Sequence, residues 1–168
     1  MEREIRNNLF SEPLMLEFGE GLLTCVKDGL KTDYVNQTRK KLAEETGMLI
    51  PMLRIKDNLE LAKKDYRILS YGHVLYEDSL AQDGEDAYHK MIDNVSYVCR
   101  THYADILNKH VVKVMMDIVR ETFPGAIEGL VPGKISYLQV QRKLQELLRQ
   151  GKPIKDMLHI LEEMEESL

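Results

Sequence analysis

The stretch ETGMLIPMLRIKDNLEL, residues 45–61, holds a helix stop, a strand and a turn within a few residues of one another. Gly47 suits the left-handed residue that closes a helix. Upstream of it Leu30, Tyr34, Thr38 and Leu42 recur every four residues with Val35 beside them, which predicts one face of an amphipathic helix. Pro51 opens an extended segment in which Leu53 and Ile55 alternate with Arg54 and Lys56, the two-residue period of a half-buried strand. Asp57-Asn58 then marks a turn. A carboxylate at a strand end is a candidate general base, but aspartates in turns mostly bond their own backbone, and Asp57 is expected to be structural.

Nearer the N-terminus, PLMLEFGEGLL predicts a strand over residues 14–18, a glycine turn and a short helix over residues 21–26. A second strand is expected over residues 66–75, with a small break at Gly72. The first half therefore has the order β-α-β-β. AQDGED, residues 81–86, is small, acidic and glycine-containing, as linkers are. Beyond it Met91, Val95, Val98, Tyr103, Ile106, Val111, Val114 and Ile118 keep helical spacing, in two helices broken near Asn108-Lys109, and Pro124 stops the run. Ser136 and Gln139 form an S-x-x-Q capping box, flanked by the staple pair Ile135 and Val140. That helix runs to Gly151, and Pro153 is expected to open the last one at a first-turn position. The fold class is α+β: a small β-α-β-β subdomain over residues 1–80, a linker over 81–86, and an all-helical subdomain over 87–168.

Composition narrows the function. The chain has 168 residues and a net charge of −5, with 43% hydrophobic and 30% charged residues, the make-up of a globular protein. Residues 1–80 carry a net −2 and residues 81–168 a net −3, so neither half is a basic module for nucleic acid or acidic lipid. Two cysteines, Cys25 and Cys99, make no disulfide framework and are expected to be buried thiols of a reducing compartment. MEREIRNNLFSEP has no apolar core for a signal peptide, and no run of the sequence is long enough to span a membrane. A cytosolic protein, or a soluble piece of a larger one, is expected.

Candidate chemistry is sparse. The pair Gly19 and Gly21 lacks the third glycine of a dinucleotide fingerprint, because Thr24 stands there, and is expected to be a tight strand-to-helix turn. Cys99-x-x-His102, with His110 two turns on, is too few ligands for a tetrahedral zinc shell. No nucleophile elbow, phosphate loop or metalloprotease motif is present. The last two helices imitate a helix-turn-helix with Arg142, Lys143, Arg149, Lys152 and Lys155 outward, but Glu146 and Asp156 dilute the patch. A DNA-binding regulator is the alternative function, and an interaction protein is the expectation.

The order of segments adds a resemblance. EPLMLEFGEGLLTCVKD, TRKKLAEETGMLIPMLRIKDNLEL, DYRILSYG and the run from THYADILNKH to LHILEEM resemble the cytoplasmic domain of the export-gate family, large inner-membrane proteins of flagellar and type III secretion apparatus. Arg39, Leu42 and Gly47 match its helix end, Pro51, Arg54, Ile55, Asp57 and Asn58 its P…R-I-x-D-N segment, and Leu130 to Pro132 and Pro153 to Asp156 its L-V-P and P-I-x-D segments.

The resemblance implies a non-enzymatic component of a protein export apparatus, a platform for ring assembly and for docking secretion substrates or chaperones. It implies no cofactor, no metal and no catalytic residue. The implied partners are other export-gate subunits in a weak homo-oligomer, together with export chaperones and substrates; nucleic acid and direct membrane insertion are not among them. The expected place is cytoplasmic, at the cytoplasmic face of the inner membrane when part of the full-length member. Relatives are expected to carry a membrane region before the equivalent of this chain, an inserted subdomain in place of residues 81–86, and a further subdomain after it. The chaperone cleft of the family involves that inserted subdomain. Arg54 and Lys56, alternating with Leu53 and Ile55, are the candidate protein-interaction residues.

Overall fold

A computed structural model describes residues 9–81 and 84–168. The chain divides into two compact units: residues up to 41 with 50–101, and residues 42–49 with 102–168. The division falls between Lys41 and Leu42 within one helix and at His102 within another. Gln82 and Asp83, inside the expected 81–86 linker, lie outside the described residues.

The first unit is built on a four-stranded mixed sheet in the order β2-β1-β3-β4, with β1 Met15–Phe18, β2 Arg54–Asp57, β3 Asp65–Ser70 and β4 His73–Ser79. β1 pairs β2 in parallel and β3 antiparallel. The parallel pair requires a crossover, and helices supply it: a 3-10 turn over Glu20–Leu22, α1 Leu23–Leu30 and α2 Tyr34–Thr46. Gly19 and Gly21 are where the chain leaves the sheet. A Cβ on Gly19 would sit 2.0 Å from the Ala62 carbonyl, and one on Gly21 would sit 2.7 Å from that of Lys63. These glycines admit a close backbone crossing rather than a phosphate. Leu14, Leu16, Phe18, Tyr66, Ile68, Met91, Ile92 and Val95 are among the unit's buried core.

Two expectations are corrected here. The segment expected as one strand with a break at Gly72 is a hairpin, in which Tyr71 and Gly72 both take positive φ, 49° and 81°. That is the backbone of a two-residue turn matched to strand twist. Leu30 is not on the second helix but ends α1, exposed, because Lys31 N and Thr32 N close back on Asp28 O and Gly29 O before the chain restarts at Tyr34. The order is thus β-α-α-β-β-β within the expected α+β class.

α3, Glu85–Ile106, begins in the first unit and passes into the second at His102, whose φ of −122° and ψ of 21° break the helical run. α4, Lys109–Thr122, starts where Asn108 accepts from Val111 N at 2.9 Å, which confirms the expected break. Pro124 ends that run, and the short α5, Pro124–Ile127, and a π-type turn over Leu130–Lys134 follow.

α6, Tyr137–Arg149, opens on the expected capping box: Ser136 Oγ accepts from Gln139 N at 3.0 Å, and Gln139 Oε1 accepts from Ser136 N at 2.7 Å. Buried Gln141 and Gln145 on this helix donate to Leu107 O and Ala104 O, so the carbonyls that α3 leaves open at its end find partners. The last helix, α7 Met157–Glu166, does not open at Pro153. Asp156 is its N-cap, and residues 152–156 run without helix while burying Ile154. Gly47, with φ 76°, closes α2 against that segment; a Cβ there would meet Lys155 Cα at 2.8 Å.

Candidate protein-contact surface

Among the described residues β2 is an edge strand, and one side of it meets no other strand. Arg54 N donates to Leu14 O and Asn58 N to Phe18 O, so these residues turn their amides toward β1. Backbone groups alternate along a strand, which leaves the N–H and C=O of Ile55 and Asp57 pointing outward. Arg54 and Lys56 are both exposed, with Ile55 half-buried between them, as the period-two pattern requires.

The ladder places Lys56 in a charged row. Lys56 lies opposite Glu17, Glu17 opposite Arg67, and Arg67 opposite Glu77, so the row crosses all four strands with alternating sign. Glu17 is only 7% exposed. Its Oε1 accepts from Arg67 Nε at 2.8 Å and its Oε2 from Asn58 Nδ2 at 3.2 Å. Each oxygen thus has a partner, and among the described residues Lys56 has no ion-pair partner. Arg54 reaches Glu12 at 3.4 Å while its side chain stays 45% exposed. A groove of about 280 Å³ is lined by the two cations with Phe10, Glu12 and Met15. Met52 and Leu59, at the two ends of β2, are 83% and 74% exposed.

The turn after β2 is held by Asn58 rather than Asp57. Asn58 Oδ1 accepts from Glu60 N at 2.9 Å, an Asx turn, while its amide group supports Glu17. Asp57 is exposed at the strand end, paired across to Phe18. Arg39, upstream, donates from Nη2 to Pro51 O at 2.7 Å and so fixes the entry into β2.

The other sequence candidates are placed as follows. Cys99 is fully buried, and burial pushes its thiol up to about 12, keeping it protonated. His102 breaks α3, and His110 is exposed on α4. Among the described residues no group of three or more His, Cys, Asp or Glu is placed to hold a metal ion. α6 and α7 are separated by residues 150–156, longer than the 3–4-residue turn of a helix-turn-helix. Of the expected basic face, Arg142 bonds Gln145 at 3.0 Å and Arg149 approaches Asp105 at 3.9 Å. Among the described residues no helix is long and apolar enough to cross a membrane.

The FHIPEP family model matches residues 1–94 and 83–168. Among curated proteins the chain is similar to the flagellar biosynthesis protein FlhA of Caulobacter vibrioides, 27% identical over 96% of this chain and 30% of that protein. It is 25% identical to FlhA of Escherichia coli, over 92% of this chain and 29% of that protein. The chain thus spans about 30% of the length of these relatives. The first alignment covers 209 positions against a chain of 168 residues, so the relative carries residues with no counterpart here. Among solved structures, the Chlamydia pneumoniae CdsV and CdsO protein complex gives a TM-score of 0.70 at 18% identity, over 93% of this chain and 59% of that one. Nonameric EPEC SctV-C gives 0.66 at 15% identity, over 92% and 59%. At such identities the likeness establishes a shared fold.

Proposed function

The chain belongs to the FHIPEP family, and from that membership we propose that it is a non-enzymatic platform element of a flagellar or type III protein-export apparatus, acting at the cytoplasmic face of the inner membrane. The observation that carries this is the family match over both parts of the chain, 1–94 and 83–168. Support comes from relatives that are flagellar biosynthesis proteins, and from a shared fold with proteins solved in a nonameric assembly and in a complex with CdsO.

In this proposal the chain associates weakly with other export-gate subunits through polar surfaces, and the Arg54–Lys56 edge is a protein-contact surface. Rim pairs of that kind contribute ~0.2–1 kcal/mol each and weaken with salt. Weak contacts suffice where a membrane region concentrates the subunits. The two family matches overlap over residues 83–94 and the alignments exceed this chain in length, which fits an inserted subdomain absent near residues 81–86. Chaperone and substrate docking would then rest on what remains.

Deleting the gene in the organism that encodes it should change the amount of export substrate secreted, with restoration by the wild-type copy. Unchanged secretion would overturn the proposal. In vitro, light scattering should show a monomer or small oligomer at micromolar concentration. A ring that persists at nanomolar concentration in high salt would remove the weak-contact part.

A further inference from the structure

We propose that β2 takes up an extended acidic segment of a partner protein as an added strand, with Arg54 and Lys56 binding its carboxylates. This rests on the Arg54–Lys56 edge being a protein-contact surface and specifies how that surface is used. Four observations meet at one place. The outward N–H and C=O groups of Ile55 and Asp57 are a ladder with no strand beside it among the described residues. Lys56 has no ion-pair partner among the described residues, and Glu17, opposite it in the ladder, is engaged by Arg67 and Asn58. Among the described residues Arg54 has one ion-pair contact, the long one to Glu12. Exposed Met52 and Leu59 offer apolar contact at each end of the strand.

The charge at each edge of the sheet selects which one is used. The opposite edge, β4, carries Glu77 and Asp78, with Lys90 3.9 Å from Asp78. An acidic strand is repelled there and attracted at β2. Strand geometry also fixes the pattern of the occupant. Side chains alternate between faces, so the carboxylates must recur every second residue on the face shared with Arg54 and Lys56. Apolar, β-branched residues fall between them, level with Leu53 and Ile55. Main-chain hydrogen bonds would supply affinity, and the two cations would supply selectivity.

The test uses the full chain and a fluorescent peptide of roughly eight residues that alternates glutamate with valine. Anisotropy should report binding that weakens about tenfold or more in the Arg54→Glu/Lys56→Glu variant and falls with salt. The decisive variant is Asp57→Pro. It removes an outward N–H without touching the ladder to β1. It also removes a carboxylate that opposes an acidic peptide, so charge alone predicts tighter binding. Strand addition predicts a several-fold loss, while Asp57→Asn should bind as well as wild type or better.

Undiminished binding by Asp57→Pro would overturn strand addition and leave the cationic edge standing as a contact surface. Should Asp57→Pro fail to fold, amide hydrogen exchange of the wild-type chain decides. Peptide-induced protection at Ile55 and Asp57, without protection along β4, supports the proposal, and its absence overturns it. Equal binding of a peptide with lysine in place of glutamate, or none at millimolar concentration, also overturns it. So does protection of the same amides by concentrated protein alone, which would make a second copy the occupant. None of these results bears on secretion in the deletion strain, which tests the export role separately.

Discussion

The phenol of Tyr103 holds both backbone polar atoms of Leu49: Oη accepts from Leu49 N at 3.0 Å and donates to Leu49 O at 2.7 Å. Leu49 lies in the extended run between the Gly47 cap and β2, where no strand among the described residues pairs with it. One hydroxyl therefore stands in for a neighbouring strand. Tyr103 is itself buried, so Tyr103→Phe keeps the packing and leaves a donor and an acceptor to find water. A loss of ~1–3 kcal/mol in guanidinium unfolding is expected. An unchanged midpoint would mean that solvent reaches Leu49 freely once the hydroxyl is gone.

The capping box makes the start of α6 a local affair. Ser136→Ala removes the acceptor of Gln139 N and should cost about 1 kcal/mol of stability. Ser136→Asp should restore most of it, since aspartate caps as well and suits the positive end of the helix. If the alanine variant unfolds at the wild-type denaturant concentration, this end of α6 contributes nothing to the global transition.

Glu17 is the opposite case, because its partners come from distant parts of the chain. Replacing it with alanine leaves Arg67 with its ion pair broken and Asn58 Nδ2 without its acceptor. Arg67 is part-exposed and can rehydrate, so the expected loss is ~1–3 kcal/mol, below the ~3–5 kcal/mol of a fully buried broken pair. Replacing both Glu17 and Arg67 with leucine should cost less than the sum of the single losses. Additive losses in that double-mutant cycle would argue against direct coupling.

What could be seen in the sequence was local. Gly47, Pro51 and the alternation from Leu53 to Lys56 each act within a turn or two, and β2 and the exposure of Arg54 and Lys56 follow from them. The break near Asn108-Lys109 and the Ser136 cap were visible for the same reason. At Gly72 a break was visible but not the hairpin, because a tyrosine with positive φ at Tyr71 is uncommon. Pro153 fits a first-turn position, yet burial of Ile154 keeps the chain extended until Asp156 can cap. Glu17 alternates with Leu16 and Phe18 and so reads as a solvent-facing residue. Only the register that sets it against Arg67, with Asn58 above, reveals why it is buried. Long-range pairing leaves no such mark in the sequence near either partner.

Asp156 and His159 couple the start of α7 to pH. Asp156 caps the helix and pairs with His159 Nδ1 at 2.5 Å. The hydrogen bond to His159 holds the carboxyl below its ordinary 3.8, and the same bond raises the imidazole above its ordinary 6.5. A lowered carboxyl stabilises above 3.8 and loses that contribution as pH falls through its folded value. A raised imidazole stabilises below 6.5 and loses its contribution as pH rises through its folded value. Both are fully present only between 3.8 and 6.5. NMR titration should find His159 above the ordinary histidine value, and Asp156→Asn should bring it down. A His159 titration unmoved by Asp156→Asn would remove the pair as a pH-sensitive element.

Gly29 should reverse the usual rule for glycine in a helix. It lies in the last turn of α1, where glycine to alanine ordinarily stabilises by up to about 1 kcal/mol, because alanine loses less backbone entropy. Here the added Cβ would sit 2.3 Å from Cγ and Cδ1 of Tyr88, at the root of a ring whose side chain is almost fully buried. A root atom cannot swing aside as a flexible chain end would, so either the ring or α1 must shift. Overpacking of this kind costs ~1–3 kcal/mol, more than the propensity gain, and the sign should therefore be a net loss. Gly29→Ala in a Tyr88→Leu background separates the two terms. With the ring removed, the alanine should become neutral or stabilising relative to Tyr88→Leu alone. Thermal unfolding of the four proteins decides it, and a Gly29→Ala single variant at least as stable as wild type would show that Tyr88 yields without cost.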